Sequence, residues 1–374
     1  MSNPGYDVAV VGLGIVGASA VYAAAWTGAR VLALDAGMPG GGTSSTSFAW
    51  LNSVRKEPDA YHRLNVAGMR AHRELSRELG GDAGYHEGGS LEWAEPGDAE
   101  RELRERVHRL AGRGYPAEWI GRERALDLEP GLAIPEPVRE VAFFAADAWL
   151  DAPRLIGRLL AAASARGADV RDRKAVRAFR TRGDRVEGLV LDDGEVAARA
   201  VLVCVGPATQ AFLQPLGVAI PVGRVPGLLA VTARPATALG RVVHAPGIHL
   251  RPDAGGGLLL GAGDVDTLAA DAGSPVSLSA LLLERAARVF PGVRPLGIVD
   301  SRIGVRPMPG DQHTIAGRIP GFANAWLIAT HSGITLGPLL GRLMADEIVR
   351  DKPSSTLAPF RPERFLGASG TARS

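Results

Sequence analysis

The first apolar blocks of the chain read as a strand, a helix and a second strand. YDVAVV at 6–11 has the continuous apolar character of a buried strand, IVGASAVYAAAWTG at 15–28 is an alanine-rich helix, and RVLALD at 30–35 is a strand again. Gly12, Gly14 and Gly17 punctuate the passage from strand to helix. Val8 to Ala29 is a run of 22 residues without a charge, enough on length for the ~20 that a bilayer span needs. No basic residue precedes it, Asp7 opens it, and its glycines fall where a strand turns into a helix. A cytoplasmic βαβ start is therefore predicted, with no secretory signal and no membrane span.

The same grammar recurs downstream. Leu64, Ala67, Ala71, Leu75 and Leu79, three and four apart, predict an amphipathic helix over 59–79. Residues 84–145 mix short apolar runs with prolines and charge clusters, as strands and a charged helix of an inserted subdomain do. DAPRLIGRLLAAASARGADV at 151–170 has Asp151 placed to cap a helix, Pro153 in its first turn and Gly167 at its stop. Residues 186–206 predict a hairpin turning at Asp192-Asp193-Gly194, then a buried strand from Ala200 to Val205 that ends at Gly206. From 216 to 300 the chain changes to antiparallel-looking strands and one helix, LSALLLERAARVF. AWLIATHSGITLGPLLGRLMADEIV at 325–349 returns to strand, Thr-His-Ser-Gly turn and helix, with Pro338 expected in the first turn, where its missing N–H costs nothing. The fold class is α/β, a doubly wound sheet with a second, antiparallel layer.

Composition narrows the function. A length of 374 residues suggests two or three domains at ~100–200 residues each. The single cysteine, Cys204, excludes an internal disulfide and a structural zinc cage, and no metal site is expected. Forty-two basic and 40 acidic residues leave a net charge of +2, interspersed as in RELRERVHRL at 101–110, which argues against a nucleic-acid surface. Glycine, 48 residues, suits tight turns and a backbone that something approaches closely.

Gly12-x-Gly14-x-x-Gly17 has the form of a dinucleotide-binding turn, although a chain this rich in glycine supplies about one such match by chance. Context strengthens it: a strand before, a helix after, and Asp35 ending the next strand, 18 residues past Gly17. Gly12 permits the tight turn, Gly14 lets a pyrophosphate approach the backbone, and Gly17 lets helix and strand pack closely. The helix N-terminus presents free N–H groups to the phosphates, and Asp35 suits a ribose hydroxyl. An ordinary glycine-rich βα turn is the plain alternative.

These pieces together resemble the superfamily of FAD-dependent amine oxidoreductases that includes D-amino acid oxidase, glycine oxidase and sarcosine oxidase. Six segments carry the likeness in order: VVGLGIVGASAVYAAAWTG, GGGTSSTSFAWLNS (40–53), WLDAPRLIGRLLAAASARGADV, VLVCVGPAT, IHLRPDAGGGLLLGAGD, and GVRPMPGDQHTIAG with ATHSGITLGPLLGRLMADEI. The resemblance implies a discontinuous Rossmann-like FAD-binding domain of residues 1–82, 146–215 and 301–366. It implies a second, antiparallel-sheet substrate-binding domain of residues 83–145 and 216–300, with a tail at 367–374. Gly12, Gly14, Ile15, Val16 and Gly17 would then hold the pyrophosphate, Asp35 and Ala36 the adenosine ribose, Thr43, Ser44 and Ser47 the phosphate and flavin flank, and Val176 the adenine. Gly206 would close a second turn near the cofactor. Gly333, Ile334 and Thr335 would direct N–H groups at the flavin N1/O2 edge, where a helix N-terminus stabilises negative charge.

Arg306, in Val-Arg-Pro, matches the family arginine that pairs with an amino acid carboxylate. His331 and His249 would form pocket wall, His331 beside the reacting atoms, and Trp50 and Asn52 would line the flavin. Arg251 and Asp253 are expected to pair with each other or cap a turn. The implied activity is oxidation of the C–N bond of an amino acid or N-substituted amino acid by hydride transfer to flavin N5, with O2 or another acceptor. GVRPMP lacks the cysteine of covalently flavinylated relatives, so non-covalent FAD is expected. The position matching an oxygen-activating lysine falls near Leu259, away from all three lysines, Lys56, Lys174 and Lys352. The second arginine of glycine oxidases is absent from the His331-Ser332-Gly333 turn. A dehydrogenase passing electrons to a quinone or carrier, a tailoring oxidase acting on a larger amine, and, more remotely, an NAD-dependent or non-catalytic nucleotide-binding protein remain alternatives, as does a homo-oligomeric assembly.

Overall fold

A computed structural model describes residues 5–270 and 274–366; the expected tail at 367–374 lies outside them. In chain order the elements are β1 (Val8–Val11), α1 (Ile15–Trp26), β2 (Val31–Leu34), β3 (Trp50–Leu51), α2 (Asp59–Glu78), β4 (Tyr85–Glu87), β5 (Ser90–Glu92), α3 (Asp98–Gly112), β6 (Ala117–Gly121) and α4 (Arg122–Leu128). β7 (Glu140–Phe144), β8 (Ala148–Leu150), α5 (Ala152–Ser164), β9 (Asp169–Arg171), β10 (Val176–Arg182), β11 (Arg185–Leu191), β12 (Gly194–Ala197), β13 (Val201–Val203) and α6 (Thr209–Leu213) follow. The last third holds β14 (Val222–Thr232), β15 (Val242–Ala245), β16 (Ile248–Pro252), β17 (Leu258–Gly261), α7 (Gly263–Ala270), α8 (Pro275–Val289), β18 (Ile298–Pro309), β19 (Ile315–Arg318), β20 (Ala325–Ala329) and α9 (Gly333–Arg350).

β1, β2, β13 and β20 are buried at every position because both faces of their sheet are covered, which is why their sequences run apolar without alternation. The sheet order is β19-β20-β13-β1-β2-β9, parallel except for β19. α1, α5 and α9 cover one face through a core that includes Val8, Val10, Leu155 and Leu340. The meander β10-β11-β12 covers the other, where Val186 and Leu189 meet Ala9, Val11, Leu32 and Leu34. The hairpin turns where expected, between Leu191 and Gly194. Asp151 caps α5, its carboxylate accepting from Arg154 N–H at 3.2 Å.

The second layer is an eight-stranded sheet, β18-β14-β17-β16-β15-β5-β7-β6, antiparallel except where β15 lies parallel to β5. It joins strands from before (β5–β7) and after (β14–β18) the segment that runs from β8 to α6, in one core with α8. β18 runs through the expected domain boundary at 300–301, so Arg306 stands on this sheet, opposite Val225 of β14. Thr43 Oγ1 donates to Val305 O at 2.5 Å and ties the two layers together.

Pro338 departs from expectation. It stands inside α9, past the first turn, and leaves the Ile334 carbonyl without its i+4 donor. His72 Nε2 of α2 donates to that carbonyl at 2.6 Å, which fixes the Nε2–H tautomer. Burial holds His72 neutral, its pKa pushed down to about 4.

Candidate active site

Two helix N-termini open on one cavity, of about 1280 Å³. The first belongs to α1. Gly12 turns with φ +93°, and a Cβ there would stand 2.5 Å from the Cys204 carbonyl oxygen. At Gly17 a Cβ would fall 1.8 Å from the Gly12 oxygen, so that glycine sets the contact of helix and turn. Gly12, Gly14, Ile15 and Val16 face the cavity, while Gly17 packs against the Gly12 carbonyl. Ile15 N–H donates to Ser44 Oγ at 3.0 Å, which brings the 40–48 segment over the turn. Asp35 accepts from Leu13 N–H at 2.7 Å and from Gly37 N–H at 2.8 Å, so it braces the turn as well as facing the cavity. Ala36, Thr43, Ser44, Ser47, Val176 and Gly206 line the same space.

The second N-terminus belongs to α9. Gly337 and Gly341 let it cross α1 closely: a Cβ at 341 would stand 2.6 Å from the Ser19 carbonyl carbon. Gly68 of α2 does the same, with an added Cβ 2.5 Å from Thr335 O. Gly333, Ile334 and Thr335 all face the cavity, and their N–H groups belong to the turn that has no partner within its helix. Neither α1 nor α9 has an acid in its first turn, so both dipole ends stay available to an anion.

The eight-stranded sheet supplies Arg306, His244 and His249 to the same cavity, and the segment after Ser47 supplies Phe48, Trp50, Asn52, Arg55 and Lys56. The Arg306 Nη2 donates to Pro226 O at 2.8 Å and pairs with Asp266 at 2.9 Å, while its Nε is buried without an acceptor among the described residues. Burial outweighs that pairing and raises the Asp266 pKa. Phe48 meets His249 edge-on at 4.6 Å, and Trp50 lies 4.1 Å from His244. Burial keeps both imidazoles neutral, pushing each pKa down to about 3. His331 is pushed down to about 4, by burial first and then by the positive charges of Lys56 and Arg306.

Trp50 is positioned from behind by Asp147, which accepts from Trp50 Nε1 at 2.8 Å, from Ser90 Oγ at 2.7 Å and from Tyr115 OH. Burial raises the Asp147 pKa to about 7 despite these bonds. Asn52 faces the cavity but spends its amide locally, on Trp50 O at 3.3 Å and Val54 N–H at 3.2 Å. Arg251 and Asp253 do not bond each other. Asp253 caps a turn at Gly255 N–H, 2.8 Å away, and buried Arg251 donates to Phe48 O and Pro252 O.

Sequence reasoning missed Phe48, Arg55, Lys56, His244 and Asp266. Phe48, Arg55 and Lys56 lie within eight residues of Trp50 and Asn52 in the chain, the one signal that pointed to them; His244 arrives through sheet pairing, and Asp266 through the packing of α7 on β14.

A model of the FAD dependent oxidoreductase family, DAO, matches residues 7–347. The chain belongs to that family. It is similar to a glycine oxidase of Geobacillus kaustophilus, 30% identical with 98% of each chain covered. The crystal structure of glycine oxidase from that organism superposes with a TM-score of 0.86 over 96% of this chain and 98% of the other, at 28% identity. A glycine oxidase of Pseudomonas aeruginosa is 27% identical over 95% of this chain and 98% of its own. An L-amino acid deaminase of Proteus vulgaris shares the fold, with a TM-score of 0.86 over 96% and 94% of the two chains at 21% identity.

The chain is thus an FAD-dependent oxidoreductase of the glycine oxidase and amino acid oxidase type, and its geometry fits the cofactor. Two acid-free helix N-termini, a side-chain-free Gly14 and a brace of small hydroxyl residues suit a dinucleotide. The volume exceeds the ~300–1,000 Å³ typical of one drug-sized ligand, leaving room for a substrate as well. Cys204 is buried at the end of β13, and burial holds its thiol protonated, the wrong state to attach a flavin. No helix among the described residues is long and apolar enough to cross a membrane, and no metal-binding cluster occurs among them.

Proposed function

We propose that the enzyme oxidises the C–N bond of an amino acid or N-substituted amino acid to the imine. The observation that carries this reading is the position of Arg306, a guanidinium in the same cavity as the two helix N-termini. Asp266 and Pro226 O fix its plane, so a carboxylate meets a donor already oriented. FAD, when bound, supplies the acceptor for the hydride that leaves the carbon bearing nitrogen. The protein's own part is orientation and charge. Arg306 holds the carboxylate, Phe48 and Trp50 wall the site with apolar rings, and His244, His249 and His331 stay neutral. A neutral imidazole leaves the amine free to bind as the uncharged base that gives up hydride most readily. The acceptor nitrogen of such a ring can also take a hydrogen bond from an amine N–H. The α9 N-terminus favours negative charge at the cofactor end of the cavity.

The test is anaerobic. Purified protein is expected to show a flavin spectrum that passes to the supernatant on acid precipitation, and to bleach with some members of a panel of amino acids and N-alkyl amino acids. Colour that fails to bleach with every member refutes the reading. Admitting air to the reduced protein then separates an oxidase, which recolours, from a dehydrogenase, which stays reduced.

A further inference from the structure

Among the described residues, three cations, Arg55, Lys56 and Arg306, line the cavity near Trp50 and the eight-stranded sheet, and two of them already have partners. Arg306 pairs with Asp266 at 2.9 Å, and Arg55 with Glu92 at 2.7 Å. Lys56 has no acid and no hydrogen-bond acceptor among the described residues; its one neighbour of note is the Tyr61 ring, 5.9 Å from Nζ to centroid. Its sequence neighbours are clamped, which fixes its place. Arg55 is held by Glu92, Glu57 bonds Arg113 at 2.8 Å, and the Glu57 carbonyl accepts from His313 at 2.9 Å. Tyr61 in turn donates to Ser332 Oγ at 2.9 Å, just before α9. Lys56 and Arg306 thus enter the cavity from different walls, one from the loop between β3 and α2, the other from β18.

A largely buried ammonium without a counter-ion is costly, and the cost appears as a pKa pushed down to about 8. Such a group is stabilised when a ligand brings the anion. We propose that Lys56 binds a second anionic group of the substrate, so that the amine oxidised here carries two carboxylates, one for Arg306 and one for Lys56. The substrate class is then an amino acid whose side chain or N-substituent ends in a carboxylate. This rests on the amine-oxidation reading for what happens after binding, not for binding itself.

The test uses the FAD-loaded protein and two unreactive probes, glutarate, a dianion, and butyrate, a monoanion of similar length, followed by titration calorimetry. Glutarate is expected to bind wild type at least about tenfold more tightly than butyrate. Lys56→Met is expected to remove that advantage and leave butyrate within about threefold, and Lys56→Arg, which keeps the charge, to retain most of it. Equal affinities in wild type overturn the proposal, as does a Lys56→Met variant that weakens both probes equally, which makes Lys56 the only carboxylate site. Loss of FAD from Lys56→Met with glutarate affinity intact in the remaining holoprotein also overturns it, because Lys56 then serves the cofactor. Neither probe is oxidised, so these outcomes are independent of the anaerobic amine panel, whose failure alone refutes the oxidation reading.

Discussion

The crossing of α1 and α9 places both helix N-termini on the cavity, and one glycine tests it. At Gly341 an alanine Cβ would stand 2.6 Å from the Ser19 carbonyl carbon, 2.7 Å from its oxygen and 2.8 Å from Ala20 N, all backbone. The closest of these falls about 0.8 Å inside the 3.4 Å at which ordinary contact begins, and no side chain can rotate away to relieve it. Overpacking of this kind costs about 1–3 kcal/mol, against which the better helix propensity of alanine returns about 1 kcal/mol. Gly157, exposed within α5 with nothing within 4 Å of an added Cβ, gains only the second effect. Gly341→Ala is therefore expected to end up to about 2 kcal/mol less stable, and Gly157→Ala up to about 1 kcal/mol more stable. Because α9 is stiff, the displacement at 341 reaches Gly333–Thr335, and FAD affinity is expected to fall in the first variant alone. Urea unfolding of the holoproteins and FAD titration of the apoproteins measure both effects. Equal shifts of the same sign, or unchanged FAD affinity in Gly341→Ala, would show that the crossing tolerates separation and that the reasoning is wrong.

Four further outcomes follow from the site. Arg306→Ala is expected to lower kcat/KM for a carboxylate substrate by about tenfold to a hundredfold, the worth of a charged hydrogen bond, and a change within a few-fold refutes its role. His72→Phe leaves the Ile334 carbonyl unpaired at a cost of about 1–3 kcal/mol; adding Pro338→Ala supplies a backbone N–H, and urea unfolding of the double variant is expected to recover part of the loss. His72, His244 and His249 have pKa values lowered by burial, so each contributes stability above about pH 6.5 and loses about 1.4 kcal/mol per unit as pH falls from there toward 3–4. Asp147, raised to about 7, acts oppositely, its contribution fading as pH rises from about 4 to 7; unfolding midpoints are expected to drop below pH 6, and more steeply in Asp147→Asn.

How far the chain discloses this in advance depends on the kind of constraint. Where backbone geometry dictates residue type, the sequence is explicit: only glycine fits at Gly12 and Gly17, and Asp151 and the Asp193-Gly194 turn mark their elements by local hydrogen bonding and φ. Continuous apolar strands likewise announce a sheet covered on both sides. Pro338 misleads because local rules put proline in a first turn, whereas a tertiary donor, His72 from another helix, makes an interior proline tolerable. No local pattern encodes that bond, which joins residues 262 apart in the chain.

The site divides the same way. The glycine turn into α1 is contiguous in sequence, so its residues declare themselves, with Gly12 and Gly14 on the cavity and Gly17 packed against the Gly12 carbonyl. The wall around Arg306 is assembled from β3 and its following loop, β15, β16, α7 and β18, elements brought together by long-range contacts: the register of the eight-stranded sheet, the packing of α7 on β14, and the ties of Thr43 to Val305, Arg251 to Phe48 and Arg55 to Glu92. In that setting a residue's chemistry depends on what its neighbours have already claimed. Arg306 stands out by position and shares its charge with Asp266, while Lys56, unremarkable in Val-Arg-Lys-Glu-Pro, has no acid partner among the described residues because Arg55 and Glu57 on either side are bound elsewhere. On the proposed reading, substrate choice follows from which ion pairs the fold completes and which it leaves open, and an open one can be read only after every partner has been placed.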